Sequence, residues 1–165
     1  MKILATLSAM LMLSTAAIAA DKPNPLQGFY VGGSSSFGGS HWNQGTVGGT
    51  FAIGYNLNNY IAIEADFDHT PAQRGQIVQE DAHVGVVVGY PLGRWTPSVS
   101  LGTGLGWYGN GNSKGNALPI YVVGAGVSYN ITDHTAVSVQ YSYMGYFDSK
   151  YLGQNGVSLG IAYNF

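Results

Sequence analysis

The stretch Asn155-Gly-Val-Ser-Leu-Gly-Ile-Ala-Tyr-Asn-Phe165 alternates with a period of two. Val157, Leu159, Ile161, Tyr163 and Phe165 fall on one side, and Gly156, Ser158, Gly160, Ala162 and Asn164 on the other. Successive side chains of a strand point to opposite faces, so the segment reads as a strand with one greasy and one small, polar face. Its length suits a tilted strand crossing a bilayer, which takes roughly 9–11 residues. An aromatic at the carboxyl end stands where an interfacial girdle residue would stand.

Seven further segments share the alternation. They are Gly28 to Phe37, Gly45 to Asn56, Tyr60 to His69, Glu80 to Tyr90, Trp95 to Tyr108, Leu118 to Asn130 and His134 to Phe147. The large apolar face carries Phe29 and Val31 in the first, Ile61, Ile63 and Phe67 in the third, and Val84, Val86 and Val88 in the fourth. In the fifth, Trp95, Val99, Leu101, Leu105 and Trp107 alternate with Ser98, Ser100, Gly102, Gly104 and Gly106. Connections near Asn58, Leu92 and Thr132 are tight, whereas Gly38–Gln44, Thr70–Gln79, Gly109–Ala117 and Asp148–Gln154 read as longer polar loops. Short turns at one end and longer loops at the other mark an outer-membrane barrel. The expected fold is all-β: a single eight-stranded antiparallel transmembrane barrel over 28–165.

The amino terminus agrees. Met1-Lys2 precedes an apolar run from Ile3 to Ala17, and Ala17-Ile18-Ala19 offers small residues for cleavage. This pattern reads as a secretory signal peptide over 1–19, followed by a short periplasmic leader over 20–27. The chain has no cysteine, which removes lipoprotein attachment and a disulfide framework. Charged residues make up 8% of the chain, against about 25% in soluble domains. So few charges protect poorly against association in water, and outer-membrane lipid is the expected solvent of the outer face. The net charge of −2 comes with no basic patch, so no nucleic-acid partner is expected. A soluble carrier barrel would turn the large apolar side chains inward and overfill a narrow lumen.

Several motifs resemble the small OmpA-like outer-membrane barrels, including the OmpX and opacity-protein group. They are Tyr60-Ile-Ala-Ile-Glu64, Thr96-Pro-Ser-Val-Ser-Leu-Gly102, Gly124-Ala-Gly-Val-Ser-Tyr129 with the Ile131-Thr-Asp133 turn, and Gly160-Ile-Ala-Tyr-Asn-Phe165. The resemblance covers 28–165 and implies location in the bacterial outer membrane. It also implies recognition of the final strand, ending in Phe165, by the barrel-assembly machinery. The chain departs from the family in two places. Gln140-Tyr-Ser-Tyr143 stands where members often carry arginine, and no peptidoglycan-binding domain is expected after the barrel.

Glu64, Asp66 and Asp68 share the inward face of the third strand, and with His83 and Gln140 they are the expected polar residues of the lumen. The acids are expected in a hydrated part of the lumen, with His83 or Arg74 as the nearest partner. Trp95, Trp107, Tyr55, Tyr90, Tyr129, Tyr163 and Phe165 are the expected interfacial girdle. Asp66, Asp68 and His69 lie close in sequence, but alternation turns His69 to the other face. No metal, cofactor or catalytic set is therefore assigned. The small inward residues are expected to let the barrel close tightly rather than hold a pore. These residues lead to the expectation of a structural or surface-contact role without catalysis. The alternatives are an adhesin binding an unidentified surface ligand through its loops, a lipid-modifying enzyme or a narrow pore.

Overall fold

The computed structural model describes residues 28–40, 43–70, 78–109, 117–148 and 153–165. The signal and leader expected over 1–27 lie outside the described residues. Eight strands follow one another: β1 (Gly28–Ser40), β2 (Asn43–Asn56), β3 (Ile61–Thr70), β4 (Val78–Gly89), β5 (Trp95–Gly109), β6 (Leu118–Asn130), β7 (Thr135–Tyr146) and β8 (Gln154–Asn164). Each pairs antiparallel with the next, and β8 returns to pair with β1, closing the barrel. The closing seam runs from Tyr30 opposite Asn164 to Gly39 opposite Asn155 without a slip. Closure leaves no sheet edge, which is the condition for a sheet to stand in hydrocarbon.

The alternation read from the sequence sets the two faces. Leu101 is 63% exposed and Phe165 70%, and Val84, Val99, Val139, Leu159 and Ile161 are also exposed on the outer wall. The opposite residues, among them Tyr30, Ala52, Ala62, Val87, Ser138, Ser158 and Ala162, are buried inside. An apolar exterior around a largely polar interior inverts the soluble pattern, as a lipid-facing wall requires.

The tight turns owe their shape to identifiable groups. Asn58 Oδ1 accepts from the backbone N–H groups of Tyr60 (2.8 Å) and Ile61 (2.9 Å). Thr132 Oγ1 does the same for His134 (3.2 Å) and Thr135 (2.9 Å). In the β4–β5 turn, Gly93 takes φ 63°, a left-handed conformation that favours glycine.

One connection differs from the sequence reading. Gly38–Gln44 was expected as a longer loop, but β1 runs to Ser40 and β2 starts at Asn43, so 41–42 alone lie between them. Composition there is loop-like, yet Gly38 and Gly39 are held by β8, opposite Gly156 and Asn155. The extra length is absorbed by a register irregularity between Gly38 and Ser40.

Leu101 lies in the middle of β5, opposite Val123 on the outer wall. Leu101→Arg should destabilise the barrel by about 2–4 kcal/mol in unfolding titrations from lipid vesicles. An unchanged midpoint would mean that this face does not meet hydrocarbon.

Candidate functional site

The lumen between β3 and β4 gathers four acidic side chains, Glu64, Asp66, Asp68 and Asp81. Three successive cross-strand pairs set their positions: Asp68 faces Asp81, Asp66 faces His83, and Glu64 faces Gly85. Spacing of two residues keeps Glu64, Asp66 and Asp68 on the inner face of β3, as it does Asp81 and His83 on β4. Glu64 is 1% exposed, Asp66 6%, Asp68 1%, Asp81 0% and His83 7%. These side chains are thus buried within the barrel, and His83 is the partner the fold brings to Asp66.

His83 is the hub of this cluster. Its Nε2 lies 3.0 Å from Asp66 Oδ2, and its Nδ1 lies 4.0 Å from Asp68 Oδ2. Thr50 on β2 donates its hydroxyl to the other oxygen, Asp68 Oδ1. Deeper along the lumen, Tyr30 on β1 reaches across to Glu64, donating its hydroxyl to Oε2 at 2.7 Å. Gly54 makes that possible, since a Cβ at 54 would run into the Tyr30 ring. The other expected partner, Arg74, lies outside the described residues.

Gln140 is also buried, on β7, and its Nε2 donates to Ser100 Oγ at 3.1 Å. Gly124 leaves the space that the Gln140 amide occupies. Gln140 and Ser100 thus form a neutral pair inside the barrel. His69 points outward, as alternation requires, and lies 3.5 Å from Glu80.

Sequence reasoning missed Asp81, Tyr30 and Thr50, and also a cluster near the loop end. There Gln79 Nε2 donates to Tyr146 Oη at 3.4 Å, and Gln154 donates to Gln79. Tyr146 packs with Ile120, Val122 and Met144 inside the barrel. Alternation did carry the signal for two of these. With Val84, Val86 and Val88 outward, Gln79 and Asp81 fall on the same inward face as His83.

The expected girdle residues gather mostly at the end that holds the tight turns. Trp95 packs on Tyr129 at 4.7 Å between ring centres, Phe29 on Tyr55 at 4.9 Å, and Tyr163 on Phe165 at 5.4 Å. Tyr90 joins them beside Tyr60 at 6.1 Å. Trp107 lies at the opposite end of β5, partly exposed. That end carries its own aromatic group, Tyr121 with Tyr143 and Phe147.

A closed antiparallel barrel with a lipid-type wall and aromatic residues at both ends defines a transmembrane outer-membrane barrel. The family model described as "Outer membrane protein beta-barrel domain" matches residues 5–165, and the chain belongs to that family. This membership implies the bacterial outer membrane as its location. No curated protein sequence matches the chain.

Among solved structures, the fold is similar to Neisserial surface protein A, with a TM-score of 0.71 at 16% identity over 83% of this chain and 97% of that one. It is similar to the N-terminal β-barrel domain of Pseudomonas aeruginosa OprF, with a TM-score of 0.64 at 15% identity over 84% and 98%. Ail, the attachment invasion locus protein of Yersinia pestis, gives 0.54 at 16% identity over 84% and 97%.

Tyr30→Phe removes the donor held against Glu64. Leaving a buried acceptor without its partner costs about 1–3 kcal/mol. Urea unfolding of the micelle-bound protein should show a loss of that size, and a variant as stable as the parent would show that this contact contributes nothing.

Proposed function

We propose that the protein is a structural barrel of the bacterial outer membrane that performs no catalysis and conducts no ions. Its wall would meet outer-membrane lipid, and the turns at Asn58, Leu92 and Thr132 would face the periplasm. The connections through 41–42, 71–77, 110–116 and 149–152 would face the exterior, and any surface contact would run through them. In this orientation Phe165 lies at the periplasmic interface, and the terminal strand is the segment the barrel-assembly machinery would engage.

The observation that carries this reading is the filling of the lumen, level by level. Asn56 donates to Asn164 at 3.3 Å near the turn end. Tyr30 with Glu64, then Asp66 with His83, fill the middle. Gln79, Tyr146 and Gln154 close over the loop end. An eight-stranded barrel is just wide enough for side chains, and these side chains span it. The aromatic ring at the turn end supports the assigned orientation, since short turns are periplasmic in this class of barrel.

Purified protein reconstituted in planar bilayers should give no discrete conductance steps at neutral pH. Reproducible single-channel openings that disappear when the protein is omitted would contradict the reading and favour a pore.

A further inference from the structure

None of the eight strands carries a lysine or arginine. Among the described residues the sole such cation is Arg94, exposed in the β4–β5 turn at the far end of the barrel. Yet Asp66, Asp68 and Asp81 are all buried together in the lumen. Buried carboxylates are ordinarily paired with cations or coordinate metals, and here the strands supply no more than the imidazole of His83.

The hydrogen bonding within this group divides each side chain into a held atom and an open one. Asp68 Oδ1 accepts from Thr50, while Oδ2 has no protein donor. His83 Nε2 is held by Asp66, while Nδ1 has no partner. Asp81 is 0% exposed, and its carboxyl meets the carboxyl of Asp68, itself an acceptor, in place of an N–H or hydroxyl donor. One ligand atom from each of Asp68, Asp81 and His83 lies within 4.8 Å of the others, and the open His83 Nδ1 lies 4.0 Å from the open Asp68 Oδ2.

The Asp66 contact also fixes what His83 offers. A neutral His83 that donates from Nε2 to Asp66 leaves Nδ1 as a bare lone pair, 4.0 Å from the open oxygen of Asp68. Two acceptors turned toward each other in a buried space are stabilised by something positive between them. A carboxylate behind a histidine whose other nitrogen faces a ligand point is the arrangement that orients metal-binding histidines.

We propose that Asp68, Asp81 and His83 bind one divalent transition-metal ion of the zinc type inside the barrel, with Asp66 as the positioning residue for His83. Two carboxylate oxygens and one imidazole nitrogen suit zinc, cobalt or manganese. Magnesium and calcium are satisfied by oxygen alone and take more ligands than this cluster provides. Asp81, with both oxygens open, is able to bind through one or both. The strands hold all three ligands, so the site is part of the rigid wall rather than of the loops. The inference is separate from the structural role proposed above, since a filled lumen binds an ion without conducting it.

The test uses the full barrel, folded in detergent micelles, stripped with chelator and titrated with zinc chloride at neutral pH. Elemental analysis after desalting should find a single zinc per barrel. Asp81→Asn and His83→Gln should abolish this binding, and Glu64→Gln, outside the cluster, should retain it. Asp66→Asn should weaken it by about 10–100-fold, the usual effect of losing the group behind a metal-bound histidine. Manganese should bind more weakly than zinc, as the general order of divalent affinities requires.

Each variant's fold is checked by the mobility difference between heated and unheated samples on gels. Where a variant fails to fold, the unsubstituted protein still decides the matter. The Nδ1 resonance of His83 should move on zinc addition, and an unmoved resonance would overturn the proposal. Equal zinc binding by Asp81→Asn and His83→Gln would also overturn it, placing the ion on exposed imidazoles such as His69 or His134. A barrel that takes up no zinc would show that protons, not a metal, hold the cluster together.

Discussion

The pairing of β8 with β1 is the constraint on which the rest of the molecule depends. In hydrocarbon an unpaired backbone N–H or C=O costs several kcal/mol, and an open sheet would leave a whole row of them on each edge. The seam from Tyr30–Asn164 to Gly39–Asn155 removes both edges at once. It is reinforced at the turn end, where the Phe165 N–H donates to Phe29 O at 3.1 Å. His134 there stacks on Tyr163. Once the ring is closed, every strand must present one face to lipid and one to the lumen, and the sequence has no freedom to do otherwise.

Closure at eight strands also determines what the lumen can be. The interior has room for side chains and little else, so large inward residues need small ones opposite them. Tyr30 lies over Gly54, and Gln140 fills the space at Gly124. Polar groups brought inside must find partners within that narrow space. Some do so as neutral pairs, such as Asn56 with Asn164 and Gln140 with Ser100. The acidic group beside His83 does not, and its chemistry is accordingly the most specific among the described residues.

Period-two alternation made the strands and their faces legible before any coordinates. Val157 to Phe165 showed the lipid face of β8, and Glu64, Asp66 and Asp68 showed the lumen face of β3. What alternation cannot give is which residue lies across from which. Asp68 meets Asp81, and Asp66 meets His83, because of the register β3 and β4 adopt across 71–77. A shift of two residues would keep every face and break both pairs. For the same reason β3 alone offers His69, which faces outward, and not the inward His83 of β4. The contact of Tyr30 with Glu64 spans 34 residues and depends on β1 and β3 flanking β2 in a curved wall. The first connection was misread because Gly38 and Gly39 have loop composition, while their hydrogen bonds go to β8, remote in sequence.

The closing seam is open to direct measurement by nuclear magnetic resonance on the micelle-bound, deuterated protein. The account predicts amide-to-amide contacts between β1 and β8 in the register that pairs Ser35 with Leu159 and Val31 with Tyr163. Resolved signals from both strands that show contacts to β2 and β7 alone would contradict it, because the sheet would then be open.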